Sequence, residues 1–144
     1  MIVQQILKSK GNSDVITVTP DMKVGEAAQL LAKHRIGGVV VSESGETASG
    51  ILSERDIVRG LAVKGAGCMN DRVSELMTAD PVCCTKSDSA DLVLARMTDG
   101  RFRHMPVVEG ETLTGIVTIG DVVKARLQEL AMEKAALESM VMGH

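Results

Sequence analysis

Apolar residues follow two rhythms along this chain, and the order of those rhythms is met twice. Val3–Leu7 reads as a short opening helix, followed by a polar loop over Lys8–Asp14 that contains Gly11 and Asn12. Val15–Thr19 reads as a strand ended by Pro20. Val24, Ala27, Ala28, Leu31 and Ala32 lie on one helical face and predict a helix over Val24–Arg35. Ile36–Val41 then reads as a buried strand. After a Ser/Glu/Gly loop, Ser49–Ser53 is a second strand that runs directly into a helix over Glu54–Leu61. The resulting order is β-α-β-β-α.

Residues 62–72, with Gly65 and Gly67, are the most linker-like stretch, and after them the order restarts. Val73–Met77 echoes Val3–Leu7, and Leu92–Met97 echoes the first long helix. Phe102–Val107 echoes Ile36–Val41, and Leu113–Asp121 echoes Ala48–Asp56. Pro81–Thr85 follows Val15–Thr19 at an offset of 66 residues, and Thr118–Asp121 follows Ser53–Asp56 at 65, after a loop shorter by one. An offset held across five elements marks an internal repeat, and a repeat decides the architecture.

The best-preserved unit is Gly115–Asp121, matched by Gly50–Asp56: Gly, two large apolar residues, a hydroxyl residue, two variable residues, Asp. Each copy turns a buried strand into a helix, with the hydroxyl at the N-cap and the Asp at N3. One reading is a capping box, in which the hydroxyl satisfies an orphan N–H and the acid suits the positive helix end. The other is a nucleotide clamp. Backbone N–H groups at a helix start bind phosphate, a hydroxyl adds a donor, and a carboxylate one turn on can accept from both ribose hydroxyls.

Composition narrows the partners. The chain has 144 residues, 44 % of them hydrophobic, so it can bury a core. Aromatics amount to one Phe, so the core is built of Val, Ile, Leu, Ala and the nine Met. A surface that reads nucleic acid by base stacking is not expected. The net charge of −3 argues against a general nucleic-acid or anionic-membrane binder. No apolar run approaches a bilayer span and no signal peptide is visible, so a cytoplasmic location is expected. Cys68, Cys83 and Cys84 offer neither a disulfide framework nor metal-ligand spacing and read as reduced thiols.

The two Gly-apolar-apolar-Ser/Thr-x-x-Asp segments, the Arg103–Val108 strand, the paired helix-strand-strand-helix blocks and Leu76-Met77-Thr78 together resemble the cystathionine-β-synthase (CBS) domain pair, over roughly residues 2–125. The resemblance implies an α+β fold of two pseudo-symmetric repeats, residues 2–61 and 73–125, joined by 62–72 and followed by a helical extension over 126–144. It implies two small sheets packed face to face with two clefts between the halves. It further implies that ribose lies at Asp56 or Asp121 and phosphate near Ser53 or Thr118 and the following helix start, with Arg55 and Gly120 there. Adenine would lie against Ile16 and Thr17, or Val82 and Thr85, and against the strand at Gly37-Gly38 or Arg103-His104-Met105. The halves differ: the second carries Arg101, Arg103 and His104, the first Gly37 and Gly38, which admit a ligand close to the backbone but add no charge. In the family, basic residues at positions 103 and 104 reach nucleotide phosphates. His104 could equally be a satisfied polar residue at a strand edge, Arg101 a solvated charge, and His34 a partner of its helix dipole.

Val122–Met142 contains no Pro or Gly, and Val123, Leu127, Leu130, Leu137 and Val141 form a near-heptad stripe with Lys134 at the missing position. That stripe needs another surface, either the chain's own module or a second copy, and a homodimer is expected. No nucleophile elbow, metal-ligand cluster or phosphate loop is present, so an enzyme and a catalytic cofactor are not expected. The reading is a stand-alone regulatory module that binds AMP, ADP, ATP or NAD(H), senses energy or redox state and signals to an unknown partner protein. The alternative is an oligomeric interaction protein with vestigial clefts.

Overall fold

A computed structural model describes residues 1–11 and 15–143. Part of the polar loop, residues 12–14, and the terminal His144 lie outside the described residues. Helix α1 spans Val3–Ser9, strand β1 Thr17–Val18, α2 Val24–His34, β2 Gly38–Val41, β3 Gly50–Ser53 and α3 Glu54–Lys64. A 3-10 helix over Gly65–Asn70 leads to α4 (Val73–Leu76) and β4 (Thr78–Ala79). The second half continues with α5 (Ala90–Gly100), β5 (His104–Glu109), β6 (Thr112–Thr118) and α6 (Ile119–Val141).

The fold is mixed α/β, as the repeat predicts. β2 is buried at all four positions because two faces of the sheet are covered, which its Gly-Val-Val-Val run suits. α2 turns its Val24, Ala27 and Leu31 face inward and stops at Arg35, which takes a left-handed φ of 54° and closes the helix. α5 stops in the same way at Arg101, φ 56°.

Each half donates its leading helix to the other. Val3 and Ile6 of α1 belong to the second core, with Cys84, Val93, Met97, Met105 and Val117. Val73 of α4 belongs to the first core, with Val18, Leu31, Val39 and Leu52. The backbone repeats the exchange: Val3 N–H donates to Asp88 O (2.9 Å) and Gln4 N–H to Lys86 O (3.0 Å), while Val73 N–H donates to Met22 O (2.8 Å) and Ser74 N–H to Pro20 O (3.0 Å). β4 likewise joins the first half's sheet, giving the order β1-β2-β3-β4, with β1 and β2 parallel and the other pairs antiparallel. The second sheet is the antiparallel β5–β6 pair.

Three expectations take a different form. The stretch read as a linker carries regular structure: α3 runs to Lys64 and the 3-10 helix follows, with its own Cys68 fully buried. Pro81–Thr85 is not a strand; only Cys84 bridges to Val107, because α1 occupies the neighbouring space and holds Lys86. The long helix starts at Ile119, is 23 residues long, and buries only Val122 and Ala125. Its stripe does not fold back: Leu127 is 61 %, Leu137 62 % and Val141 86 % exposed.

Gly50 marks the tightest joint of the first sheet. A Cβ there would lie 2.6 Å from Met77 Sδ and 3.0 Å from the Thr78 carbonyl oxygen of β4. Gly50→Ala is expected to lower unfolding free energy by about 1–3 kcal/mol in urea titrations. An unchanged midpoint would show that β4 does not pack on β3 as described.

Candidate functional site

Both strand-to-helix turns form complete capping boxes. Ser53 N–H donates to Asp56 Oδ2 at 2.9 Å, and Asp56 N–H donates to Ser53 Oγ at 3.4 Å. Thr118 N–H donates to Asp121 Oδ2 at 2.9 Å, and Asp121 N–H donates to Thr118 Oγ1 at 3.2 Å. The turns are also tied to the neighbouring strand, since Glu54 N–H donates to Gly37 O and Ile119 N–H to Arg103 O, each at 2.9 Å. At each helix start the first and third amides are therefore taken. Arg55 and Gly120, the N2 residues, have amides with no partner among the described residues.

Capping uses one carboxylate oxygen of each turn. The cap consumes Oδ2 of each Asp. Oδ1 of Asp56 is engaged only loosely, by Thr78 Oγ1 at 3.5 Å and Arg59 at 3.9 Å. The bonds to Asp121 from Thr118 and from Lys10 Nζ, the latter 2.9 Å long, both end on Oδ2. Capping therefore does not exclude the second reading of the Ser/Thr-x-x-Asp unit: the capped carboxylate is held rigid, with Oδ1 unbonded in Asp121 and only loosely engaged in Asp56.

Two clefts lie beside these turns, and each is built from both repeats. The larger, about 760 Å³, brings Thr118 together with Ile16, Gly37 and Gly38 of the first half and with Arg103 and His104. The smaller, about 400 Å³, brings Ser53, Arg55 and Asp56 together with Thr78, Pro81 and Val82 of the second half. The sequence order pairs Asp56 with Ile16 and Asp121 with Val82; the structure crosses them, because the leading segments are exchanged. Gly120 and Asp121, in the first turn of α6, line neither cleft, although Thr118 beside them lines the larger, and three further candidates sit elsewhere. Met105 is fully buried in the second core, since alternation along β5 turns it away from the cleft that His104 faces. Thr17 pairs with Val40 in the sheet and lines neither cleft. Thr85 lines neither as well: its N–H donates to Asp88 at 2.9 Å and its side chain meets Ser87.

His104, Arg103 and Gly37 line both clefts and so form the partition between them. A Cβ added at Gly38 would come within 3.0 Å of three atoms of the His104 ring, which explains a glycine on a buried strand. Sequence reasoning missed Lys10, which reaches from beyond α1 to Asp121 Oδ2 and to Ile116 O, each at 2.9 Å. It also missed Phe102 in the smaller cleft. Phe102 is the chain's one aromatic and directly precedes the Arg-His pair, a signal that was available. Among the described residues no group of three or more acidic, His or Cys side chains could hold a metal. Burial pushes the Cys84 thiol up to about 12, far from thiolate chemistry.

A two-repeat α/β module with a cleft on either side of a shared partition is the class this geometry defines. The chain belongs to the CBS domain family: the family model described as CBS domain matches residues 5–63 and again 73–128. A CBS-domain-containing protein of Agrobacterium tumefaciens has a solved structure 45 % identical to this chain, with a TM-score of 0.83 over 88 % of this chain and 99 % of that one. The mitochondrial CBS domain-containing protein CBSX3 of Arabidopsis thaliana is 32 % identical over 98 % of this chain and 72 % of its own length. CBSX2, solved in complex with AMP, is 26 % identical with a TM-score of 0.71, over 88 % of this chain and 96 % of its own. No helix among the described residues is long and apolar enough to cross a membrane.

Two titrations tie the site to pH. Burial lowers the pKa of His104; Glu54 opposes this and Arg103 adds to it. Burial alone would raise that of Asp121, but the bonds from Lys10 and Thr118 outweigh it and lower it. The unfolded chain therefore takes up the His104 proton first, near its ordinary value of about 6.5. Stability from His104 is complete above that pH and falls on acidification below it; that from Asp121 is lost only in stronger acid. Thermal melts at pH 7.5 and 5.5 are expected to show a smaller loss of Tm in His104→Asn than in the wild type. Equal losses would contradict the burial of the imidazole.

Proposed function

We propose that this chain is a regulatory module that binds adenosine nucleotides in its two crossed clefts and passes their occupancy to a partner protein. The observation that carries the reading is the pair of capped carboxylates, Asp56 and Asp121: Asp121 keeps Oδ1 free of any bond among the described residues, and Asp56 Oδ1 is held only by the long contacts to Thr78 and Arg59 that a ribose hydroxyl would replace. The N2 amides of Arg55 and Gly120 supply backbone donors for a phosphate beside them. Ile16, Gly37 and Gly38, or Val82 and Phe102, supply the apolar walls that a purine needs. CBSX2 with bound AMP supports AMP as the first ligand to test. NAD(H) contains the same adenosine 5′-phosphate portion and is the second. CBS-domain pairs are typically regulatory rather than catalytic, and a clamp without a general base or nucleophile suits binding rather than turnover.

Isothermal titration with AMP is expected to show binding that Asp121→Asn or Asp56→Asn each weakens at one cleft by about tenfold or more, as loss of a charge-assisted bond requires. Unchanged affinity in both variants, with wild-type melting curves, would remove the carboxylates from the site.

The bare stripe of α6 favours a second property, self-association, which is compatible with the first. Leu130, Leu137 and Val141 border a shallow groove of about 480 Å³ on the exposed C-terminal part of α6, beyond the buried Val122 and Ala125. Leu130→Glu with Leu137→Glu is expected to halve the mass measured by light scattering while the fold is retained, because both residues are exposed. A monomeric wild type would end this reading.

A further inference from the structure

The two clefts differ in charge as well as in size. Lys8, Lys10, Arg35, Lys86 and Arg103 line the larger one, and no acidic residue stands among its described lining. The smaller has four arginines, Arg55, Arg59, Arg101 and Arg103, set against Glu54, Asp56 and Asp80. This gathering of cations runs against a chain whose net charge is −3. Lys10 is neutralised by Asp121 at 2.9 Å, whereas Lys8, Arg35, Lys86 and Arg103 make no ion pair with any described residue.

These four come from four separate places: the last turn of α1, the cap of α2, the loop before α5 and the residue just before β5. They ring the cleft instead of converging on one point, so a single phosphate would leave most of them unmatched. Like charges held around a concave wall repel one another, and a polyanion relieves that repulsion while the walls focus the field. The acids of the smaller cleft cancel most of its positive charge.

We propose that the larger cleft selects an adenosine 5′-polyphosphate, a ligand with two or more phosphates in a chain, and that the smaller cleft takes a mononucleotide. This rests on the nucleotide-binding reading above and specifies its ligand class. The first phosphate lies at Thr118, the ribose reaches Asp121 in the first turn of α6, just outside the cleft's lining, and the further phosphates reach Lys8, Lys86 and Arg103. Lys10 leaves Asp121 or turns to the phosphates when the ligand enters.

The test is calorimetric titration of AMP, ADP, ATP and NAD into the whole chain carrying Asp56→Asn, so that the larger cleft dominates the signal. ADP and ATP are expected to bind about tenfold or more tighter than AMP, with an affinity that falls more steeply as NaCl rises. Adding Lys8→Ala and Lys86→Ala, both outside the core, is expected to remove that advantage and leave AMP within about twofold. NAD as tight as ADP would identify any pyrophosphate as sufficient; NAD as weak as AMP would identify the free terminal phosphate as the feature read. AMP as tight as ATP, or an ATP advantage that survives the double substitution, overturns the proposal and leaves the nucleotide reading intact. No binding by any of the four, in this background or in the wild type, overturns both.

Discussion

The bond from the last strand N–H to an aspartate Oδ2, made once at Ser53 and once at Thr118, is the constraint on which the rest depends. It joins a charged acceptor to a backbone donor in a partly closed site, an interaction of about 1.5–3 kcal/mol. It fixes where the strand ends and the helix begins. It also immobilises the carboxylate, so that the oxygen not used by the cap points from a rigid frame. The companion bonds from Glu54 and Ile119 to the carbonyls of Gly37 and Arg103 tie each turn to the strand that forms the partition. In the proposed reading, structural capping and ligand recognition are two uses of one carboxylate.

The exchange of leading helices makes the module a unit rather than two tethered halves. α1 completes the second core and α4 with β4 completes the first. Each cleft therefore has one wall from each repeat, and a ligand that draws those walls together acts on both halves. His104 stands in the partition, against Gly38 on one side and within reach of the fields of Glu54 and Asp121. A ligand with different affinity for two arrangements of these walls shifts their populations, and a partner can read that shift.

Much of this was legible in the residues. The duplicated Ser/Thr-x-x-Asp unit announced both turns, and the constant offset announced the repeat. The helical faces of Val24–Leu31 and Leu92–Met97 were readable because one-sided burial imposes a period. Crossing of the clefts was not readable: which half a leading helix joins is decided by tertiary packing, and the sequence of each repeat is satisfied either way. Met105 was misplaced as a site residue although alternation with His104 turns it inward. Lys8, Lys10 and Lys86 carried no signal, because surface lysines in loops and helix ends have no periodicity. The stretch 62–72 reads as a linker from its glycines; that it holds a 3-10 helix with a buried Cys68 was not readable, because one buried thiol leaves no pattern.

A crystal structure of the complex with AMP measures the central claim most directly. The account predicts ribose hydroxyls on Asp121 Oδ1 or Asp56 Oδ1, with the adenine against the opposite repeat: Ile16 in the Asp121 cleft, Val82 in the Asp56 cleft. Adenine stacked on the same repeat as its aspartate, or a ribose that touches neither carboxylate, would contradict it.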